Sequence, residues 1–431
     1  MKTRFLTLLL LLVVAPATFA QHRGRNRDET ILYVWASDQA KVAPDFLAVI
    51  DFDEDSWTYG SVITTVSLPP PGNVGNEPHH CHLSANKRIL ACGGLLSLLK
   101  GQNSIYFFDV SDARHPRFLL STKALDSSIT DDFFPLPEGG FLITQMGSAS
   151  GEAPGRVAEF DGRLRFVGNH FGTVSMFREH PSEPPLDGFN PHGLAVRPEL
   201  NLMLTSDFIL PSSTLAGSSA PVLRNTVRVW DYYSRKITDT IRVTAPDGSP
   251  ALGLMDVKLL PSDPNGTAYT IGMFDGFLYM LDPKNRTATP AFDLATVTPH
   301  IDSTVRGGMG QIMATPKKGD RLIVPLFGTG QIIMLDATDR STLRQIPGAV
   351  VSLEKNAGPH NIELTEDDSR LVVVDYFLNQ DDAGIIHFDG DHKVRVLKVG
   401  RDTLVEDGRF KLDFNTAFPT GPARPHGIAM K

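Results

Sequence analysis

A chain of 431 residues that carries 41 lysines and arginines against 49 aspartates and glutamates, with net charge −8, is longer than one ordinary domain. It is also too acidic to suit nucleic acid or anionic membrane surfaces. Its two cysteines cannot staple a fold of this size, so the fold must rest on its core, and two domains or one large repeat architecture are expected.

Residues 1–20 have the pattern of an export signal: Lys2 and Arg4, an apolar run from Phe5 to Val14, then Thr18-Phe19-Ala20 before Gln21. The run is too short for a transmembrane helix, and no later stretch matches its length without charges. A soluble periplasmic or secreted protein with no membrane insertion is expected. Removing the signal leaves 39 basic against 49 acidic side chains. Residues 21–30 are short, charged and expected to be disordered.

From Ile31 onward, short Val, Ile, Leu and Phe runs alternate with Gly, Pro, Asn and Asp turns, an all-β pattern. Seven runs end in aspartate: Leu47–Asp51, Ile105–Asp109, Val157–Asp161, Val227–Asp231, Leu278–Asp282, Ile332–Asp336 and Ile385–Asp389. Their regular recurrence implies seven units of about four strands, each run being the third strand of its unit. Because the aspartate recurs in every unit, it reads as a turn residue rather than a calcium or catalytic site.

A second phrase recurs between these runs. It reads Pro78-His79-His80, Pro191-His192-Gly193, Pro359-His360-Asn361 and Pro425-His426-Gly427, each before a short apolar or alternating run. Proline is tolerated at a first strand residue, which can do without a ladder donor. Units without the histidine carry Asp131–Phe134, Leu254–Val257 and Met309–Ile312 at the same place. The chain ends just after such a first strand and its pattern begins, at Ile31–Trp35, with a second one. These observations predict a seven-bladed β-propeller over residues 31–431, closed by N- and C-terminal strands in one blade. Two stacked β-sandwiches are the alternative. The long loop from Asp207 to Asn225 is a candidate wall or lid over the channel mouth.

In such a propeller the first strands line the channel, so His79, His192, His360 and His426 would meet near the axis as metal ligands. Nitrogen donors suit copper, iron or zinc better than magnesium or calcium. His80 and His82 are further donors that either replace His79 or carry protons, and Asp131 is a base, a ligand or a turn cap. The competing reading is a propeller whose histidines only bond neighbouring carbonyls. Cys81 and Cys92 flank the turn at Asn86 and Lys87 and would oppose each other across a hairpin, as a disulfide or as two thiols. Phosphate-loop, serine-hydrolase elbow, zincin and Cys-x-x-Cys motifs are missing from the sequence. A lactonase-type site would need acidic ligands, for which Asp131 and Asp256 offer themselves.

Several stretches resemble the selenium-binding protein family, which includes bacterial methanethiol oxidase. They are Ala43–Asp51, Glu77–His80, Ser104–Val110 with His115–Arg117, Val227–Tyr232, and Gly358-Pro359 leading into Asp367–Val373. The resemblance implies a propeller and a copper-dependent oxidation of a small thiol by O2 to aldehyde, sulfide and peroxide. His79 and His80 match the family's adjacent pair, and His426 its histidine near the C-terminus. The family's cysteine-containing stretch and its His-x-x-His element are not reproduced here, so a divergent member with a rearranged site is expected. Iron on the same four histidines and a non-enzymatic ligand- or protein-binding propeller are the alternatives.

Overall fold

The computed structural model describes residues 29–170, 188–215, 221–301, 306–354, 356–380 and 386–431. The expected signal and disordered segment, apart from Glu29 and Thr30, lie outside the described residues, as do parts of the 207–225 loop. Among the described residues no helix is long and apolar enough to cross a membrane.

The strands form seven blades about one channel. Five blades are regular four-stranded antiparallel sheets, and one of these is built from both ends of the chain: Ala423–Met430 pairs with Ile31–Asp38, which pairs in turn with Phe46–Asp51. Closure therefore follows the expected route. Period-two alternation fixes the packing, because successive residues of a strand serve opposite neighbours. Leu32 and Val34 pack toward the last blade, against Val372 and Val374, while Tyr33 and Trp35 pack toward the second, against Leu90 and Tyr106. A hydrophobic cluster of this kind fills each of the seven interfaces between blades. Each large side chain so buried contributes about 1.5–3 kcal/mol.

The terminal aspartates act as turn residues. Asp109 accepts from Ser111 N, Asp161 from Arg163 N, Asp231 from Ser234 N, and Asp336 from Thr338 N. The last blade departs from the pattern. Ile386–Asp389 is not its third strand but pairs with Phe377–Gln380 as a separate hairpin, and Lys393–Val399 takes the place beside Arg370–Asp375. Val394, Val396 and Leu397 supply the buried positions that this place requires. In the sixth blade the first strand shrinks to isolated bridges, Gly310 with Leu326 and Ala314 with Ile323.

Candidate metal centre

The six first strands that are regular enough to pair all share one irregularity. Pro78 pairs with Gly94 and Cys81 with Cys92, so His79 and His80 together face the single residue Gly93. The same bulge falls at Asp131-Asp132, His192-Gly193, Met255-Asp256, His360 and His426. A bulge leaves the extra residue unpaired and re-aims its side chain. At His79 and His80, two consecutive side chains, which regular alternation would send to opposite faces, are thus both turned into the channel.

Among the described residues five histidines and one aspartate meet there, all buried: His79, His80, His192, His360, His426 and Asp131. Donor atoms of His79, His80, His360 and His426 lie within 4.8 Å of one another, and a second such group is His79, Asp131 and His192. His80 therefore stands where His192 was expected, beside His360 and His426, and His192 is on the Asp131 side. Asp131 is in mid-strand and fully buried, not a turn cap. His82 belongs to neither group; it is half-buried, with Nδ1 2.7 Å from the Leu83 carbonyl.

Hydrogen bonds on the outer side of the rings set their tautomers. His79 Nδ1 lies 3.1 Å from the Thr130 carbonyl, and His360 Nδ1 3.0 Å from Gln311 Oε1. The Gln311 amide nitrogen donates to the Met309 carbonyl, which turns its oxygen toward His360. Both acceptors place the ring proton on Nδ1 and leave the lone pair on Nε2. His80 Nε2, His360 Nε2 and both nitrogens of His426 are buried without a hydrogen bond, the Pro78 carbonyl being the polar group near the His426 ring. Buried nitrogens without partners are costly unless something is bound to them. These residues fit a metal, for which imidazoles backed by outer acceptors are the usual ligands.

His426 is fixed by stacking. Its ring lies 4.2 Å from that of Tyr376, at 28°. The Tyr376 hydroxyl donates to Glu77 Oε1 at 3.0 Å, and Glu77 accepts two bonds from Arg424, at 2.7 and 3.2 Å. Glu77 and Arg424 each stand two residues before a cluster histidine, so the pair ties the two first strands together. Neither this pair nor Tyr376 and Gln311 was picked out from sequence, although Glu-Pro-His and Arg-Pro-His carried the hint.

Burial disfavours charge on the imidazoles. His79 and His80 are pushed down to about 4, and His192, His360 and His426 well below the ordinary histidine value. The same desolvation pushes Asp131 up to about 7. Phe208, the first residue of the 207–225 loop past its strand, sits 5.1 Å from His192 and stacks on Phe274 at 6.2 Å. Phe327 lies 6.1 Å from His360. Aromatic rings therefore border the cluster at His192 and His360, while Asp132, Asp256 and Lys258 supply charge near His80, Asp131 and His192. Cys81 and Cys92 form a disulfide beside the paired histidines.

Comparison with known proteins agrees with this picture. Residues 18–255, more than half of the chain, match the model of the 56 kDa selenium-binding protein family. The chain belongs to the selenium-binding protein family. Selenium-binding protein 2 of Arabidopsis thaliana is 27% identical over 208 residues, covering 44% of this chain and 39% of that protein. The match thus spans about two-fifths of that relative's length. A hypothetical selenium-binding protein from Sulfolobus tokodaii shares the fold, with TM-score 0.73 and 17% identity over 94% of both chains. So does the periplasmic gluconolactonase of Pseudomonas aeruginosa, with TM-score 0.57 and 11% identity over 93% of this chain and 98% of that one. For a selenium-binding protein family member, the doubled histidine at positions 79 and 80 now has a structural reason: the bulge that turns both rings inward.

Proposed function

We propose that this member of the selenium-binding protein family is a metal-dependent oxidoreductase, with copper on His79, His80, His360 and His426. Its reaction is that of a methanethiol oxidase: a small thiol, O2 and water give an aldehyde, hydrogen sulfide and hydrogen peroxide. The observation that carries this reading is the convergence of buried imidazoles whose Nδ1 protons are held from outside, at Thr130 and Gln311, with unpartnered nitrogens facing inward. Copper, when bound, would supply the redox chemistry between thiol and O2.

The chain's own residues would do the rest. Asp131 stands 3.1 Å from His80 Nδ1 and 3.2 Å from His192 Nε2, with a carboxyl pushed up to about 7, so it can take a proton from the thiol and return it near neutral pH. Phe208, Phe274 and Phe327 would exclude water and favour a small apolar substrate. We also place the protein in the periplasm or outside the cell, a reading supported by the leader-like residues 1–20 and by the Cys81–Cys92 disulfide.

The test is metal analysis and O2 uptake with methanethiol, on protein matured with its own leader. At least one tightly held copper per chain and thiol-dependent O2 consumption are expected, with copper at the four-histidine site reduced at least tenfold in His360→Ala. Iron in place of copper would redirect the reading to an iron oxygenase. Folded protein that takes up no metal on reconstitution would leave a ligand-binding propeller.

A further inference from the structure

His79 and His80 lie face to face, ring centroids 4.2 Å apart and inclined by 18°. His426 packs edge-on against both, and His360 packs against His80 and His426. The function proposed above places metal on that group alone, gives Asp131 a proton to carry and leaves His192 without a task. Their geometry asks for more than a proton.

Asp131 is fully buried, and three imidazole nitrogens surround its carboxylate: His80 Nδ1 at 3.1 Å, His192 Nε2 at 3.2 Å and His79 Nδ1 at 3.7 Å. Yet neither oxygen accepts a hydrogen bond, and His192 Nδ1 is buried without a partner as well. At His80 and His192 the distances would allow bonding but the ring geometry does not give it, and the His79 Nδ1 is turned to the Thr130 carbonyl instead. Donor atoms that crowd together without pointing at one another are arranged as ligands are around a shared ion. Two ligand atoms bonded to one first-row ion at about 2.1 Å stand roughly 3–4 Å apart, as the Asp131 carboxylate does from His192 Nε2 and His79 Nδ1.

The neighbouring residue supplies the contrast. Asp132 accepts from Phe133 N at 2.8 Å and, across the blade boundary, from Leu194 N at 2.9 Å. Asp132 therefore holds the bulge, and Asp131 is not needed for that task. A carboxylate buried without hydrogen bonds costs several kcal/mol unless a cation accompanies it.

We propose that Asp131, His192 and His79 hold a second divalent first-row metal ion, so that the channel is a two-metal centre with His79 shared. This rests on the four-histidine site argued above. Sharing would make His79 a bridging imidazolate, one ring nitrogen for each ion, with the Nδ1 proton that now faces the Thr130 carbonyl released to solvent as the second ion binds. Mixed carboxylate and imidazole donors suit zinc, iron(II) or copper(II) better than copper(I).

Metal-free full-length protein is loaded with Zn(II), desalted and analysed for metal per chain, then the series is repeated with Cu(II). Two equivalents are expected in the wild type, one in Asp131→Asn and in His192→Gln, one in His360→Ala, and none in the His192→Gln/His360→Ala double variant. With Cu(II), the bridged pair couples its spins, so the paramagnetic resonance intensity falls below the copper content and recovers in His192→Gln. Asp131→Asn is isosteric, and near-ultraviolet circular dichroism of each variant reports that the fold is kept. One equivalent in the wild type, lost in His360→Ala and untouched in Asp131→Asn and His192→Gln, overturns the second ion and leaves the first. No bound metal in the wild type overturns both.

Discussion

The cluster histidines are held neutral by the protein interior, and that has a cost which pH can expose. His79 and His80 fall from 6.5 to about 4 because burial strips water from the charged ring, and His192, His360 and His426 fall further. An unfolded chain takes up protons on these rings near pH 6.5, whereas the folded one resists until about 4. The stability they contribute is therefore fully present above pH 6.5 and drains away as pH falls through 4, every tenfold loss of proton affinity on folding corresponding to about 1.4 kcal/mol. Asp131, raised to about 7, works in the opposite sense, and so do Asp45 at about 6, Glu363 at about 8 and Asp375, held well above the ordinary carboxyl value by burial, so the contribution of the rings is read by comparing the wild type with a variant that lacks one of them. Between pH 7.5 and pH 4.5 the metal-free wild type should therefore lose a few degrees more of Tm than a variant that lacks one of these rings. His360→Phe, with one imidazole fewer to charge, should show a shallower fall, and the metal-loaded form a steeper one because protons then compete with the ion. Thermal scans of both metal-free proteins across that range check this; parallel profiles in wild type and His360→Phe would mean that the ring is not held neutral by burial.

At the scale of the strand, the device that matters is the bulge, and it sits where glycine permits close approach. Gly427 pairs with Trp35 and passes so near the neighbouring first strand that a Cβ there would collide with the His79 carbonyl, and would lie 2.7 Å from Cys81 Sγ. Gly427→Ala should therefore push the His79 strand outward. Overpacking of this kind costs about 1–3 kcal/mol, and metal affinity should fall with it, whereas Gly168→Ala, with open space at its Cβ, should change neither. Denaturant melts and metal titration of the two variants decide the matter. Strand-scale features also mark how far the sequence could be read. The aspartates were legible because an Asx turn needs a specific residue type, and Asp109, Asp161, Asp231 and Asp336 use it as expected. The rule failed at Ile386–Asp389, since a hairpin inserted between two blade strands shows the same alternation as a blade strand. His80 and Asp131 were seen as candidates but not placed, because alternation alone sends successive residues to opposite faces, and only the pairing of two residues against Gly93 or Thr144 brings both inward.

The whole ring depends on the last eight residues, which perform three tasks at once. Arg424–Lys431 includes most of the first strand of the closing blade, all of it buried apart from the terminal lysine, and Lys431 N donates to the Ile31 carbonyl at 2.8 Å. Arg424 pairs with Glu77 and so ties the end of the chain to the strand bearing His79 and His80. His426 completes the proposed metal group and rests on Tyr376. Losing the segment uncovers the whole inner edge of Ile31–Asp38, a run with every residue buried, which then becomes a template for pairing with other chains. It also strands Glu77 as a buried carboxylate without its arginine, a loss of about 3–5 kcal/mol. These tasks separate by mutation. His426→Ala should remain a folded monomer with the melting temperature of metal-free protein and lose metal alone. Arg424→Met should lower stability first and metal affinity second, through the displaced Tyr376. Deleting residues 424–431 should abolish metal binding and drive the chain into aggregates or open-edged oligomers, read by size exclusion at rising concentration. A deleted chain that stays monomeric, melts like the wild type and keeps its metal would show that neither the closure nor the site depends on this strand.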